Sequence, residues 1–125
     1  MTLIDERLSI SDVAARTGLS TSALRYYEQA GLMRDQVDRA SSRHRRYDAR
    51  TVGWVEFVTK LRATGMPIRD IRRYTELVRE GDDTTPQRLA LLVAHRERVL
   101  AQLAEVQRSL AAIDKKIATY ERICA

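Results

Sequence analysis

The chain has a single cysteine, Cys124, so no internal disulfide framework can staple it, and a reducing compartment is expected. Long apolar runs are missing as well. The longest aliphatic stretch, Leu89 to Ala94, is far too short to span a bilayer. The opening residues, Met1-Thr2-Leu3-Ile4-Asp5-Glu6, lack a basic-then-apolar targeting pattern. A cytoplasmic protein with no membrane partner is therefore expected. Histidine is scarce: His44 and His95 fall in different elements, and neither has a second ligand at metal-binding spacing. No nucleophile, base and acid stand together in the sequence, so neither an enzyme nor a cofactor is expected. There is no low-complexity tract.

What is present is charge, aliphatic surface and helical spacing. At 125 residues the chain is one compact domain, or a small domain with an extended element. Hydrophobic residues make up 44%, enough for a folded core, and charged residues 31%, which suits a helical protein. The net charge of +5 is unevenly spread: residues 1–80 hold 15 Lys and Arg against 11 Asp and Glu, and residues 81–125 hold 7 against 6. The basic excess sits in the first part, as a nucleic-acid partner requires. Solvated surfaces carry similar excesses, so charge alone does not decide the partner.

The stretch around which the first part is organised is Leu24-Arg25-Tyr26-Tyr27-Glu28-Gln29-Ala30-Gly31-Leu32. Ser20 is placed to cap its helix and Gly31 to end it. Upstream, Ser9-Ile10-Ser11-Asp12 has the capping-box spacing for a shorter helix carrying Ile10, Val13 and Ala14. Small Ala14, Gly18 in the turn and Leu24 let the two helices cross closely, which predicts a helix-turn-helix. A plain helical hairpin in a small bundle is the alternative on these residues alone.

Residues 32–47 form a long polar connection ending in Arg43-His44-Arg45-Arg46-Tyr47. So basic a connection after a helix-turn-helix reads as a wing, a β-ribbon running along a nucleic-acid backbone. Only Leu32-Met33 and His44 to Tyr47 have residues suited to pairing, and a disordered basic loop is the alternative. Asp48 can cap a third helix over about 49–64, with Trp54, Val55, Phe57, Val58 and Leu61 as its apolar stripe; Trp54 and Phe57 are expected in the core. Gly65-Met66-Pro67 breaks that helix, and Pro67 suits the first turn of a fourth, whose apolar face is Ile68, Ile71, Tyr74, Thr75 and Val78. Gly81-Asp82-Asp83 closes the globular part.

Thr85-Pro86 opens the last element with a cap and a first-turn proline. A heptad then runs with a positions Leu89, Arg96, Leu103, Leu110, Ile117 and Cys124, and d positions Leu92, Val99, Val106, Ile113 and Tyr120. At the α-helical rise this is a helix of roughly 55 Å. It cannot bury its own seam and the head is too small to cover it, so a second chain must. The e positions Val93 and Leu100 widen the apolar face in the first half, where packing against a head is expected too. The domains expected are 1–80, a DNA-binding head, and 81–125, a dimerisation helix whose seam includes Leu92, Val99, Leu103, Val106, Leu110, Ile113 and Ile117.

Taken in order, residues 10–27, the wing ending Arg45-Arg46-Tyr47, Leu61-Arg62-Ala63-Thr64-Gly65-Met66 and the terminal coil resemble the MerR family of bacterial transcription regulators, over about residues 9–123. The resemblance implies a mainly α fold: a winged helix-turn-helix head followed by a long C-terminal helix forming an antiparallel coiled-coil dimer. It implies a homodimer on double-stranded DNA, at a pseudo-palindromic promoter operator whose distortion lets RNA polymerase use it. Residue by residue, Arg25, Tyr26 and Tyr27 match the recognition helix, and Arg45 the wing arginine of a Gly-Tyr-Arg-x-Tyr pattern that ends at Tyr47. Arg62 matches a phosphate-contacting residue. Ser20, Arg43 and Arg46 join them as DNA-binding candidates. Arg43 stands where that pattern has glycine and His44 where it has tyrosine.

No effector is identified. Residues 84–93 lack the cysteine of metal-sensing members, and no metal site is expected. An effector-gated regulator, an architectural or constitutive DNA-binding dimer without an effector, and a coiled-coil adaptor whose head binds protein stay open, with the basic wing against the third. His95, at a g position, is expected to be a solvated flank residue. Cys124 is either a seam filler or a thiol sensor.

Overall fold

The computed structural model describes residues 8–34 and 47–125 in full, and residues 38–40 and 44–46 by their backbone. Along the chain come α1 (Ile10–Thr17), α2 (Thr21–Gln29), β1 (Asp38–Ala40), β2 (His44–Arg46), α3 (Ala49–Ala63), α4 (Ile68–Glu80), a 3-10 turn (Asp82–Thr84) and α5 (Thr85–Cys124). The chain divides into two compact units, Met1–Leu91 and Leu92–Ala125.

Local chemistry starts and stops the helices of the first unit. Ser9 Oγ accepts from the Asp12 N–H at 3.1 Å, and Asp12 Oδ2 accepts from the Ser9 N–H at 2.9 Å, a reciprocal box opening α1. The Ser9 backbone bond, then its hydroxyl bond, hold the Asp12 carboxyl below its ordinary value. Ser20 Oγ accepts from Ala23 N–H at 3.0 Å to open α2, and Asp48 Oδ1 from Thr51 N–H at 3.0 Å to open α3. Helices α2 and α3 end alike. Gly31 (φ 76°) and Gly65 (φ 89°) turn left-handed, and the next N–H, of Leu32 or Met66, reaches back to the carbonyl of Tyr27 or Leu61 at 2.9 Å. A side chain at either glycine would strain that turn.

Two helix starts differ from the sequence expectation. Pro67 is the residue before α4, with extended ψ of 147°, and not part of its first turn. Thr85 is already helical (φ −52°, ψ −43°), so it is not the cap of α5. Buried Thr84 stands before it, with Oγ1 2.6 Å from the Leu77 carbonyl and 2.8 Å from that of Gly81. Its hydroxyl supplies the donor that the end of α4 lacks.

α1 packs on α2 and α3, and α3 on α4. Val13, Leu24, Leu32, Val55, Val58, Leu61, Met66, Ile71 and Leu77 fill the space between them, each contributing about 1.5–3 kcal/mol by leaving water. Trp54 and Phe57, expected in the core, are half-buried at its edge; Trp54 closes that edge. Its ring stacks on Tyr74 (centroids 5.8 Å apart, planes at 10°) and its Nε1–H donates to the Leu32 carbonyl at 2.7 Å.

The wing is a two-stranded antiparallel ribbon, but its first strand is not Leu32–Met33. β2 pairs with β1, with Asp38 opposite Arg46, Arg39 opposite Arg45 and Ala40 opposite His44. Leu32 and Met33 are buried in the core instead. Asp-Arg-Ala has no strand preference of its own; the ladder selects it. Tyr47 pairs with Leu8, their N–H and carbonyl groups bonded both ways at 2.7 and 2.8 Å. That bridge joins the end of the wing to the chain entering α1.

α5 is a single helix of 40 residues, roughly 60 Å long. Along the second unit Leu103, Val106, Leu110, Ile113 and Ile117 are 48–63% exposed, while Leu92 and Val99 are half-buried. His95 corrects the expectation of a solvated flank: it is 6% exposed. The heptad marks the a and d seam only and is blind to what covers a g position. No helix among the described residues is long and apolar enough to cross a membrane.

Candidate nucleic-acid interface

The exposed residues of α2 fall on one face. Ser22, Arg25, Tyr26 and Gln29 are exposed, at the i, i+3, i+4, i+7 spacing of a helical stripe, whereas Leu24 and Tyr27 face the core. A helix presenting arginine, phenol, hydroxyl and amide together offers donors to phosphates and to base edges. Tyr26 is 42% exposed. The Arg62 guanidinium, from the last turn of α3, lies 5.3 Å from the Tyr26 ring centroid and 5.5 Å from that of Tyr27. The ring faces orient the cation, so α2 and α3 together present a positive charge beside an exposed aromatic. Arg62 is itself exposed.

Two of the expected contact residues are core residues. Tyr27 is 1% exposed; its hydroxyl lies 2.9 Å from Thr59 Oγ1, and Thr59 in turn donates to the Val55 carbonyl at 2.8 Å. With the Thr59 proton so engaged, the Tyr27 hydroxyl is the donor. Tyr47 is 4% exposed and donates to the Glu28 carboxylate. Burial leaves neither phenol a surface to offer. Tyr27 fastens α2 to α3, and Tyr47 fastens the end of the wing to α2.

Ser20 is exposed, and its oxygen is engaged as the α2 cap while its proton can still donate. Arg45 and Arg46 lie on β2, and their side chains, like the whole of Arg43, lie outside the described residues. Sequence reasoning passed over Ser22 and Gln29, which spacing from Arg25 and Tyr26 would have found. It also passed over Arg39, the register partner of Arg45. Among the described residues no group of three or more His, Cys, Asp or Glu is placed to hold a metal ion.

Comparison with known proteins agrees with this geometry. The model of the MerR HTH family regulatory protein matches residues 8–77, and that of the MerR DNA-binding region matches residues 52–116. The chain is 34% identical to an uncharacterized HTH-type transcriptional regulator of Haemophilus influenzae, over 87% of this chain and 80% of that protein. It is 38% identical to the HTH-type transcriptional regulator AdhR of Bacillus subtilis, over 74% of this chain and 66% of AdhR. Among solved structures, HiNmlR, a MerR family regulator lacking the sensor domain and bound to promoter DNA, superposes with a TM-score of 0.84 at 32% identity, covering 94% of this chain and 92% of that one. A MerR family transcriptional regulator from Bacillus thuringiensis superposes at 0.81 with 30% identity, covering 91% and 99%. With family models covering the helix-turn-helix, the wing and most of the long helix, the chain belongs to the MerR family and is a DNA-binding transcription regulator.

Proposed function

We propose that the chain acts as a homodimer on a pseudo-palindromic promoter site, and that it controls RNA polymerase by distorting the DNA between its two heads. The observation that carries this is the seam of α5. Leu103, Val106, Leu110, Ile113 and Ile117 recur at heptad spacing and are about half exposed or more. A stripe of that length is stable in water only against another apolar stripe, and a second copy, antiparallel as in the family, supplies one. In this reading residues 81–125 dimerise and residues 1–80 read DNA. Two heads on a two-fold axis require two half-sites, which is why the operator is pseudo-palindromic.

Within each head, α2 lies in the major groove, with Arg25 and Tyr26 towards the DNA and Ser20 near a phosphate. Arg62 and the wing arginines Arg45, Arg46 and Arg43 hold the flanking backbone. The ladder sets Arg39 opposite Arg45 in register. Backbone contacts fix register, and the energy of deforming the DNA supplies the control. The protein then works where its promoter lies, in the cytoplasm.

A second reading, a constitutive architectural dimer without an effector, is favoured by the likeness to HiNmlR, which lacks a sensor domain. Reporter output from the promoter with and without stress compounds separates the two. A response that depends on the protein supports gating, and a constant output supports the architectural role. The test of the shared core is a footprint on the protein's own upstream region: protection of two half-sites is expected, and protection of one, or none, contradicts it.

A further inference from the structure

The entrance to the wing is held from α4. Arg79, in the last turn of that helix, reaches back to the segment just before the ribbon. Its Nε donates to the Arg34 carbonyl at 3.0 Å, and its Nη2 donates to the carbonyl of Met33. Two consecutive carbonyls gripped by one planar fork fix both the position and the direction of the chain, which a single contact cannot do. These bonds are charge-assisted and therefore stronger than those between neutral groups.

The platform under Arg79 is itself held. Two turns earlier, Arg72 Nε donates to the Ala30 carbonyl at 2.8 Å, at the end of α2. The end of α4 that carries Arg79 is tied down by Thr84 and by Arg88, whose Nε lies 3.1 Å from Thr84 Oγ1 and whose Nη2 lies 3.3 Å from the Gly81 carbonyl. One face of α4 thus carries an arginine for the recognition helix and, seven residues on, another for the wing. At the wing's exit, Tyr47 is fixed by Glu28 and Leu8. Glu28 grips the exit from 19 residues away, and Arg79 grips the entrance from 45.

We propose that Arg79 is a positioning residue for DNA binding. It sets the direction in which the wing leaves the head, and so whether Arg45 meets the phosphate backbone. This rests on the reading that the wing contacts DNA.

The test is the salt dependence of binding by the full-length chain to a duplex of its own upstream region. Wild type, Arg45→Ala, Arg79→Ala and the double variant are compared. Removing one phosphate-bound cation lowers the slope of log K against log salt by about 0.9, so Arg45→Ala should lower it by roughly 2 for a dimer. Arg79→Ala should lower it at least as much, since Arg43 and Arg46 share the wing, and the double variant should fall no further than Arg79→Ala, because Arg79 acts through the wing. An additive double variant, or an unchanged slope for Arg79→Ala, overturns the proposal. An unchanged slope for Arg45→Ala shows that the wing reading has failed, and the proposal falls with it. Arg79→Lys keeps the charge but not the fork and should also lose slope; full slope with lysine overturns the proposal, and this variant decides if Arg79→Ala does not fold.

Discussion

Replacing Tyr27 with phenylalanine removes one hydroxyl from the core and leaves the ring in place. That hydroxyl donates at 2.9 Å to Thr59 Oγ1, whose own proton stays with the Val55 carbonyl at 2.8 Å. The loss is one neutral hydrogen bond, worth about 0.5–1.5 kcal/mol net. Thr59 is half-buried and keeps its other bond, so water repairs part of the loss and about 1 kcal/mol is expected. Tyr27 is 1% exposed and its ring stays beside Arg62, so affinity of the folded variant for DNA should not change. The assay is urea unfolding followed by helical circular dichroism at fixed protein concentration, paired with anisotropy titration of a labelled duplex. A lower midpoint with unchanged m and unchanged affinity is expected. An unchanged midpoint with weakened binding would show that the Tyr27 hydroxyl works at the DNA and not in the core.

Arg62→Ala should weaken specific and random duplexes alike and lower the salt slope by about 0.9 per chain, read by titration at several salt concentrations. Tyr26→Ala removes an exposed aromatic and one of the two rings that orient Arg62; it should weaken the operator at least as much as random sequence in the same assay. Leu103→Asp or Ile113→Asp would bury an unpaired charge in the seam at a cost of several kcal/mol, and sedimentation should show a monomer that no longer binds its operator. The Ser9 hydrogen bonds hold the folded Asp12 carboxyl below its ordinary value, so the charged carboxylate contributes stability above that ordinary value and loses it as pH falls through the folded one. Asp12→Asn should therefore be slightly less stable than wild type near neutrality, and the gap should close in acid unfolding.

Elements whose cause is local were legible in the sequence. Ser9, Ser20 and Asp48 start helices through bonds to N–H groups three residues on, and Gly31 and Gly65 stop them through their own backbone freedom, so a short window contains the whole cause. The long helix α5 was legible because its apolar period persists over many turns. Elements fixed from a distance were not. Asp38–Ala40 is a strand because β2 pairs with it, and nothing in Asp-Arg-Ala announces that. The grips of Arg72 and Arg79 join residues more than forty apart, and on α4 they look like any exposed arginines. The two tyrosines are an intermediate case. Tyr27 lies three residues from Leu24, and that spacing alone places it on the core face, whereas the resemblance had made it a contact residue.

The most direct test of the central claim is the stoichiometry and salt dependence of the complex with the protein's own upstream duplex. The account predicts two chains per duplex. It also predicts a log K that falls linearly with log salt at a slope of at least about −5, from Arg25, Arg45 and Arg62 in each half. One chain per duplex, or no binding at low salt, would contradict it.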